Sequence, residues 1–343
     1  MPRRHRPTLP ALALAGALAL AAGFGTVSAG AQTEPSPPSA DRESSDGRAL
    51  GSFSDSVSVG TTLVPVLVRS GGRYLTDLER EDFRLKVDGR PVAVESFENR
   101  TDAPVSIVFL QDLSGSMANG GKIEASREAV LYFLEHSELG DEMALVSFGG
   151  NLTSVDVPFT QDPIALRESL TAWDPYGTTA LHDAVSLLPK LTQGGQYAKR
   201  AALLITDGVD NASEIDPAQA RDLVRRSEVP VYVLGLGSGT PYRLDSEGKK
   251  LYRYADLLNL LASQTGGRYF TVESAGALKE AVLEILGDLR HQYVLGFRTG
   301  GGESAARTIE VSVEPQRGFG GRKRLRILSR RGYEGGPPAG TIP

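Results

Sequence analysis

Asp112, Ser114 and Ser116 are spaced two residues apart, directly after the run Val105 to Leu110 (VSIVFL). Such an apolar run reads as a strand buried on both faces, and ligand sites in open α/β sheets lie just beyond the carboxyl ends of strands of this kind. The stretch Ala201 to Asn211 (AALLITDGVDN) repeats the construction, with Asp207 and Gly208 closing a second apolar strand. Between the two, Gly177-Thr178-Thr179-Ala180-Leu181 is a polar loop ahead of a helical run, and it offers the hydroxyl of Thr179. Two strands that each hand an aspartate to the same sheet edge can place both carboxylates around one cation. Two carboxylates, two serine hydroxyls and a threonine hydroxyl form an all-oxygen set, suited to a hard divalent cation rather than to zinc or copper. Magnesium takes about six oxygens at roughly 2.0–2.1 Å and gives up water reluctantly. Neutral hydroxyls are weak donors, so a cation held by them stays electron-poor and accepts a further anionic oxygen. The expected source of that oxygen is an Asp or Glu of a protein partner.

At these residues the sequence resembles the metal-ion-dependent adhesion site of von Willebrand factor type A domains. The flanking text LITDGVDN and GTTALHDA is similar to that of bacterial members, and three separated motifs follow in the right order between Ala103 and Arg290. The resemblance implies a Rossmann-like α/β fold with a mostly parallel central sheet flanked by helices. It also implies Mg²⁺ or Mn²⁺ held by Asp112, Ser114, Ser116, Thr179 and Asp207, and a binding role without catalytic residues. Leu113 stands where Thr is frequent in the family, Thr178 where a second Gly is frequent, and Gln111 where an apolar residue is frequent. None of these departures removes a ligand. The segments on either side, including the ending RRGYEGG, resemble bacterial proteins grouped as von Willebrand factor A-related in acidobacteria and their relatives.

The elements that must position these residues follow from composition and pattern. A chain of 343 residues suggests about two domains on a prior of ~150 residues each. Hydrophobic residues at 40% and charged residues at 23% are ordinary globular values. Cysteine is absent, which excludes a disulfide framework, a thiolate metal site, a cysteine nucleophile and a lipobox anchor. Residues 1–31 read as a cleaved secretory signal: Arg3, Arg4 and Arg6, an apolar body from Leu12 to Phe24, and the exit Ala29-Gly30-Ala31. The apolar body is shorter than the ~20 residues of a bilayer span. The expectation is therefore an exported protein, periplasmic or secreted, with no membrane span after cleavage. Loss of three arginines takes the formal net charge from −5 to −8, which argues against nucleic acid as a partner.

Residues 32–55, rich in Pro, Ser, Glu and Asp, read as a disordered linker. Residues 56–102 form a small β unit with strands Thr61 to Val68, Phe83 to Val87 and Val92 to Phe97, and Asp88-Gly89 marks a hairpin. Residues 103–290 alternate strands and helices, which means βα units and a mostly parallel sheet. The pair Glu142 to Phe159 supplies an antiparallel edge, and one helix is expected from Ala180 to Leu191. In residues 291–334 three strands complete a β sandwich with the N-terminal ones, and residues 335–343 form a disordered tail.

Other constellations in the chain carry plainer readings. Gly235-x-Gly237-x-Gly239 lacks the spacing of a nucleotide loop and reads as a turn. Ser114 is not set in a G-x-S-x-G elbow, and His182, one turn past Thr179, reads as a partly exposed helix residue. Asp112 also suggests a phosphoryl-accepting aspartate, but such sites carry a second Asp where Ser114 stands. A magnesium-dependent hydrolase on the same residues, and a structural envelope protein with a vestigial site, are the alternatives. Asp183, Asp210 and Asn211 read as helix caps or hydrogen-bonding support around the site. The basic run Arg322 to Arg326, with Arg330 and Arg331, reads as an exposed sheet face.

Overall fold

Strands of two sequence types build two kinds of sheet in the structure, a computed structural model that describes residues 60–208, 210–225, 227–237, 243–244, 250–251, 254–300, 304–314, 325–335 and 338. The signal and linker readings, Gly239, residues 322–324 and most of the tail lie outside the described residues. The first strands are β1 (Gly60–Ser70), with a buried apolar run from Val64 to Val68, β2 (Arg73–Tyr74), β3 (Phe83–Val87), β4 (Arg90–Val92) and β5 (Ser96–Glu98). In β3, Phe83, Leu85 and Val87 are buried while Arg84 and Lys86 are exposed. That period of two gives a sheet with one dry face. Asp88 and Gly89 both take positive φ, the backbone of a tight hairpin turn between β3 and β4.

The chain then enters an α/β region. Its elements are β6 (Val105–Asp112), α1 (Lys122–His136), β7 (Glu142–Gly149), β8 (Leu152–Thr160), α2 (Pro163–Thr171), α3 (Leu181–Ser186) and α4 (Leu188–Thr192). They continue through β9 (Lys199–Thr206), α5 (Pro217–Val224), β10 (Val231–Leu236), the short pair β11 (Arg243–Leu244) and β12 (Lys250–Leu251), α6 (Tyr254–Thr265), β13 (Tyr269–Val272) and α7 (Ala275–Arg290). Strand order in the central sheet is β13-β10-β9-β6-β7-β8. All neighbours are parallel except β7 and β8, which form the antiparallel edge. Every residue of β6 is buried. Ile107 and Phe109 pack in a core with α1, α2 and α7, and Val108 and Leu110 pack in a second core with α3 to α6. Continuous hydrophobicity is thus what a strand covered by helices on both faces requires.

Four strands close the chain: β14 (Tyr293–Thr299), β15 (Ala305–Val313), β16 (Leu325–Ser329) and β17 (Gly332–Gly335). They join the N-terminal strands in two sheets, β16-β1-β14-β5 with β2 beside β1, and β17-β15-β3-β4. Val64, Val66, Phe83, Leu85, Tyr293, Leu295, Phe297 and Ile309 share the core of this sandwich. The run Val92 to Phe97, expected as one strand, instead divides between the two sheets. Val92 and Phe97 are five positions apart and would face opposite ways on a single strand, whereas the switch of sheet lets both reach the same core. The helix expected from Ala180 to Leu191 breaks into α3 and α4, because Pro189 has no N–H to continue the ladder.

The α/β region is an insertion between β5 and β14, which are hydrogen-bonded neighbours with Glu98 opposite Val294. Lys199 fastens the neck: its Nζ donates to the carbonyl of Arg100, before the insertion, and to that of Arg290 at the end of α7, at 2.8 Å. Arg290 in turn pairs with Asp141 and donates to the carbonyl of Ala103 at 3.2 Å. On the flank of α7, buried Asp288 accepts from Tyr74 at 2.8 Å and pairs with Arg268 at 3.2 Å and Arg69 at 3.7 Å. Arg330, expected on an exposed face, is buried. Its guanidinium donates to the carbonyls of Leu63, Arg225 and Gly332, so it bridges the sandwich to the end of α5. Among the described residues no helix is long and apolar enough to cross a membrane.

Two outcomes follow for stability. Asp288→Ala leaves Arg268 and Arg69 to Glu284 alone and takes the buried acceptor from Tyr74, and should lower the unfolding free energy by about 2 kcal/mol in urea denaturation. Burial brings the Lys199 ammonium down from its ordinary 10.5 to about 8. Between those values the unfolded chain holds more protons than the fold, so the contribution of Lys199 to stability rises with pH across that window. Denaturation of wild type and Lys199→Met at pH 7 to 10 should show the difference shifting in favour of wild type above pH 8. A difference that stays level would mean an ordinary lysine.

Candidate metal centre

The parallel register of β6 with β9 sets Gln111 opposite Ile205, and so brings Asp112 and the pair Thr206-Asp207 to one carboxyl edge. Asp112 is completely buried. Its Oδ1 accepts from the backbone N–H of Ser114 at 2.8 Å and its Oδ2 from the hydroxyl of Thr206 at 2.6 Å. Burial raises the carboxyl above its ordinary value, and the hydrogen bonds from Thr206 and Ser114 pull the other way. The Thr206 hydroxyl also accepts from the N–H of Gly208 at 2.9 Å, which fixes the turn that carries Asp207. The Gln111 side chain donates to the Asp112 carbonyl at 2.6 Å and to Ser126 on α1 at 3.1 Å. A polar residue at a buried strand position thus braces the end of β6 against α1.

After Asp112 the chain makes a 3₁₀ turn over Gly115–Ala118, anchored by fully buried Met117. The Ser114 and Ser116 hydroxyls lie 3.1 Å apart. The second loop is sewn to the first: Gly115 N–H donates to the Gly177 carbonyl at 3.0 Å, and Tyr176 N–H to the Leu113 carbonyl at 2.7 Å. A Cβ on Gly115 would stand 3.2 Å from the Gly177 carbonyl oxygen, so the close approach depends on glycine there. Thr179 is buried. Its N–H donates to Asn211 Oδ1 at 2.8 Å, and its carbonyl accepts from the N–H groups of Asn211 and Ala212 at 3.0 and 3.1 Å. The second loop is therefore tied to the third by the residue offering the hydroxyl.

Asp207 has a side chain only 5% exposed, and Lys122 Nζ lies 2.8 Å from its Oδ2. The same ammonium donates to the Ser116 carbonyl at 3.3 Å. Asp207 Oδ1 is buried without a hydrogen-bond partner. A buried carboxylate oxygen left unpaired is costly unless something supplies positive charge or a donor. Together with an all-oxygen set, that orphaned atom is what fits these residues to a hard divalent cation. Among the described residues no group of three or more His, Asp or Glu side chains comes together as a metal cluster. The set here has two carboxylates and depends on hydroxyls for the rest.

Direct hydrogen bonds link Asp112 to Ser114, and Ser114 to Ser116, while Thr179 and Asp207 reach the same edge through the backbone contacts of their loops. Lys122 and Thr206 were not singled out from the sequence. Thr206 directly precedes Asp207, and Lys122 is the first residue of α1, but neither position announces its role without the register. His182 is buried rather than partly exposed. Its Nδ1 lies 3.1 Å from Asp210 Oδ2, which also accepts from the His182 N–H at 2.9 Å and so caps the start of α3. Asp183 accepts from the N–H groups of Glu214 and Ile215 at 3.0 and 3.2 Å, holding the third loop.

Residues 107–209 match the von Willebrand factor type A domain family, and the chain carries such a domain there. Over 153 residues it is 29% identical to human inter-alpha-trypsin inhibitor heavy chain H3, a match covering 40% of this chain and 17% of that relative. It is 25% identical over 197 residues to an uncharacterized protein of Borreliella burgdorferi, covering 52% of this chain and 57% of the other. The chain thus spans well under two thirds of the length of these relatives. Among solved structures, a von Willebrand factor type A protein from Catenulispora acidiphila superposes with a TM-score of 0.46 at 14% identity, over 73% of each chain.

The Thr206 hydroxyl serves two buried partners at once, and valine matches its shape without the oxygen. Thr206→Val should leave Asp112 Oδ2 and the Gly208 N–H unpaired and lower the unfolding free energy by about 2 kcal/mol, read by urea denaturation.

Proposed function

We propose, taking the type A domain at residues 107–209 as the starting point, that this chain is an exported metal-dependent protein-binding module. In this reading Asp112, Ser114, Ser116, Thr179 and Asp207 hold Mg²⁺ or Mn²⁺, and an Asp or Glu of a protein partner completes the shell. The observation that carries it is the orphaned, buried Oδ1 of Asp207 on the same sheet edge as fully buried Asp112. A cation bound there supplies a Lewis-acid position for an anionic oxygen. The residues do the rest. Thr206 and the Ser114 N–H hold the Asp112 carboxylate in one orientation, and the serine and threonine hydroxyls donate without adding charge. Two carboxylates carry no more negative charge than one divalent cation balances, so a third, from the partner, meets no net repulsion.

Binding is favoured over hydrolysis by what the polar groups already do. Where a phosphoryl-accepting site carries a second Asp, this chain has Ser114. His182 is engaged with Asp210 through Nδ1 and its Nε2 is buried without a partner, so it is closed off from an incoming substrate. Export rests on the basic and apolar pattern of residues 1–31. The domain at 103–290 is read as the binding unit, framed by the β segments at 56–102 and 291–334.

The test is calorimetry of Mg²⁺ with the full chain and with Asp112→Ala and Asp207→Ala. Both variants should lose Mg²⁺ binding while keeping the wild-type circular dichroism spectrum. Pull-down from a cell-envelope extract should yield a partner that EDTA releases. Equal Mg²⁺ binding by variants and wild type sinks the proposal, and Asp112-dependent turnover of a phosphoester panel would replace it with the hydrolase.

A further inference from the structure

Lys122 is the first residue of α1, where a positive charge opposes the helix dipole. Its placement therefore does nothing for the helix. The side chain turns instead to the acidic edge, with Nζ 2.8 Å from Asp207 Oδ2 and 3.3 Å from the Ser116 carbonyl. Space for this reach comes from the loop after β10. Gly237 has φ of +59°, and a Cβ there would stand 3.0 Å from Lys122 Cε. Gly237 is one of the glycines whose spacing reads as a turn and not a nucleotide loop; what it accommodates is a lysine stem. The pairing is one-sided, because Oδ2 is taken by the ammonium and Oδ1 is buried without a partner.

We propose that Lys122 is the internal cation of the site: it neutralises Asp207 before a metal arrives, leaves Oδ1 for that metal, and by its charge limits how tightly the metal is held. The inference rests on the metal-binding reading above and adds to it a residue that sets affinity. An ammonium on one oxygen of a carboxylate weakens the other as a donor and repels a divalent cation nearby. A cation held in this way stays dependent on an incoming carboxylate, so capture of the partner and retention of the metal become one event. The lysine is a positioning and tuning residue; it donates nothing to the metal.

The test uses Mg²⁺ as the probe, with wild type, Lys122→Met, Lys122→Gln and Asp207→Ala in the full chain. Calorimetry should give both neutral Lys122 variants a Mg²⁺ dissociation constant at least about tenfold lower than wild type. In EDTA their melting temperatures should fall below wild type, Lys122→Met further than Lys122→Gln, since only glutamine retains a donor for Asp207. A purely structural role predicts the opposite sign in calorimetry, because a loosened Asp207 would bind the metal less well. Wild-type binding with unchanged or weaker affinity in both variants overturns this inference and leaves the metal site standing. No Mg²⁺ binding by wild type overturns the metal site and this inference with it.

Discussion

The alignment of β6 beside β9 is the constraint on which the rest depends. Two buried parallel strands, paired from Val105 opposite Lys199 to Gln111 opposite Ile205, end at the same level. Their last residues can therefore exchange a hydrogen bond, Thr206 to Asp112, inside the protein. A shift of one residue would turn Asp112 away from Thr206 and send the apolar side chains of each strand to the opposite helix layer. The two cores on either side of the sheet lock the register, and the register builds the site. Chemistry at the edge is thus a by-product of packing in the middle.

Much of this was legible in the chain. The apolar runs before Asp112 and Asp207 announced buried parallel strands because they are short, are bounded by turn residues and recur between helical stretches. Asp88-Gly89 announced its hairpin because few residues accept positive φ at adjacent positions. Less visible were features that depend on two distant segments. Arg330 looked like part of a basic surface, since charge alone does not reveal three backbone carbonyls waiting around a guanidinium. The division of Val92 to Phe97 between sheets depends on a second sheet, and α3 and α4 part at Pro189, where the apolar pattern runs on unbroken. Lys122 was silent for the same reason: on a helical pattern it is one more polar residue, and only the fold puts it against Asp207.

The third loop shows how support is distributed around the edge. Asn211 holds Thr179 by its backbone, Asp210 caps α3 and engages His182, and Asp183 answers from α3 to the N–H groups of Glu214 and Ile215. Each of these side chains bonds to backbone, so the loops are oriented by local fastenings and not by the hydroxyls and carboxylates that face chemistry. Separation of that kind lets the loops stay put whatever the Ser114 and Ser116 hydroxyls and Asp207 Oδ1 engage.

The insertion of the α/β region between two adjacent, antiparallel strands has a mechanical side. The chain leaves the sandwich at Glu98 and returns opposite it at Val294, and the described strands nearest either end, β1 and β17, belong to the sandwich. Tension between β1 and β17 would run through β16, which pairs with β1 and leads directly into β17, bypassing the inserted domain. A load applied at the carboxyl edge of the central sheet takes a different route, down that sheet and α7 into the neck, where Lys199 and Arg290 join its two sides. Only the second route crosses the neck, so Lys199 and Arg290 carry force between the inserted region and the sandwich and none between β1 and β17.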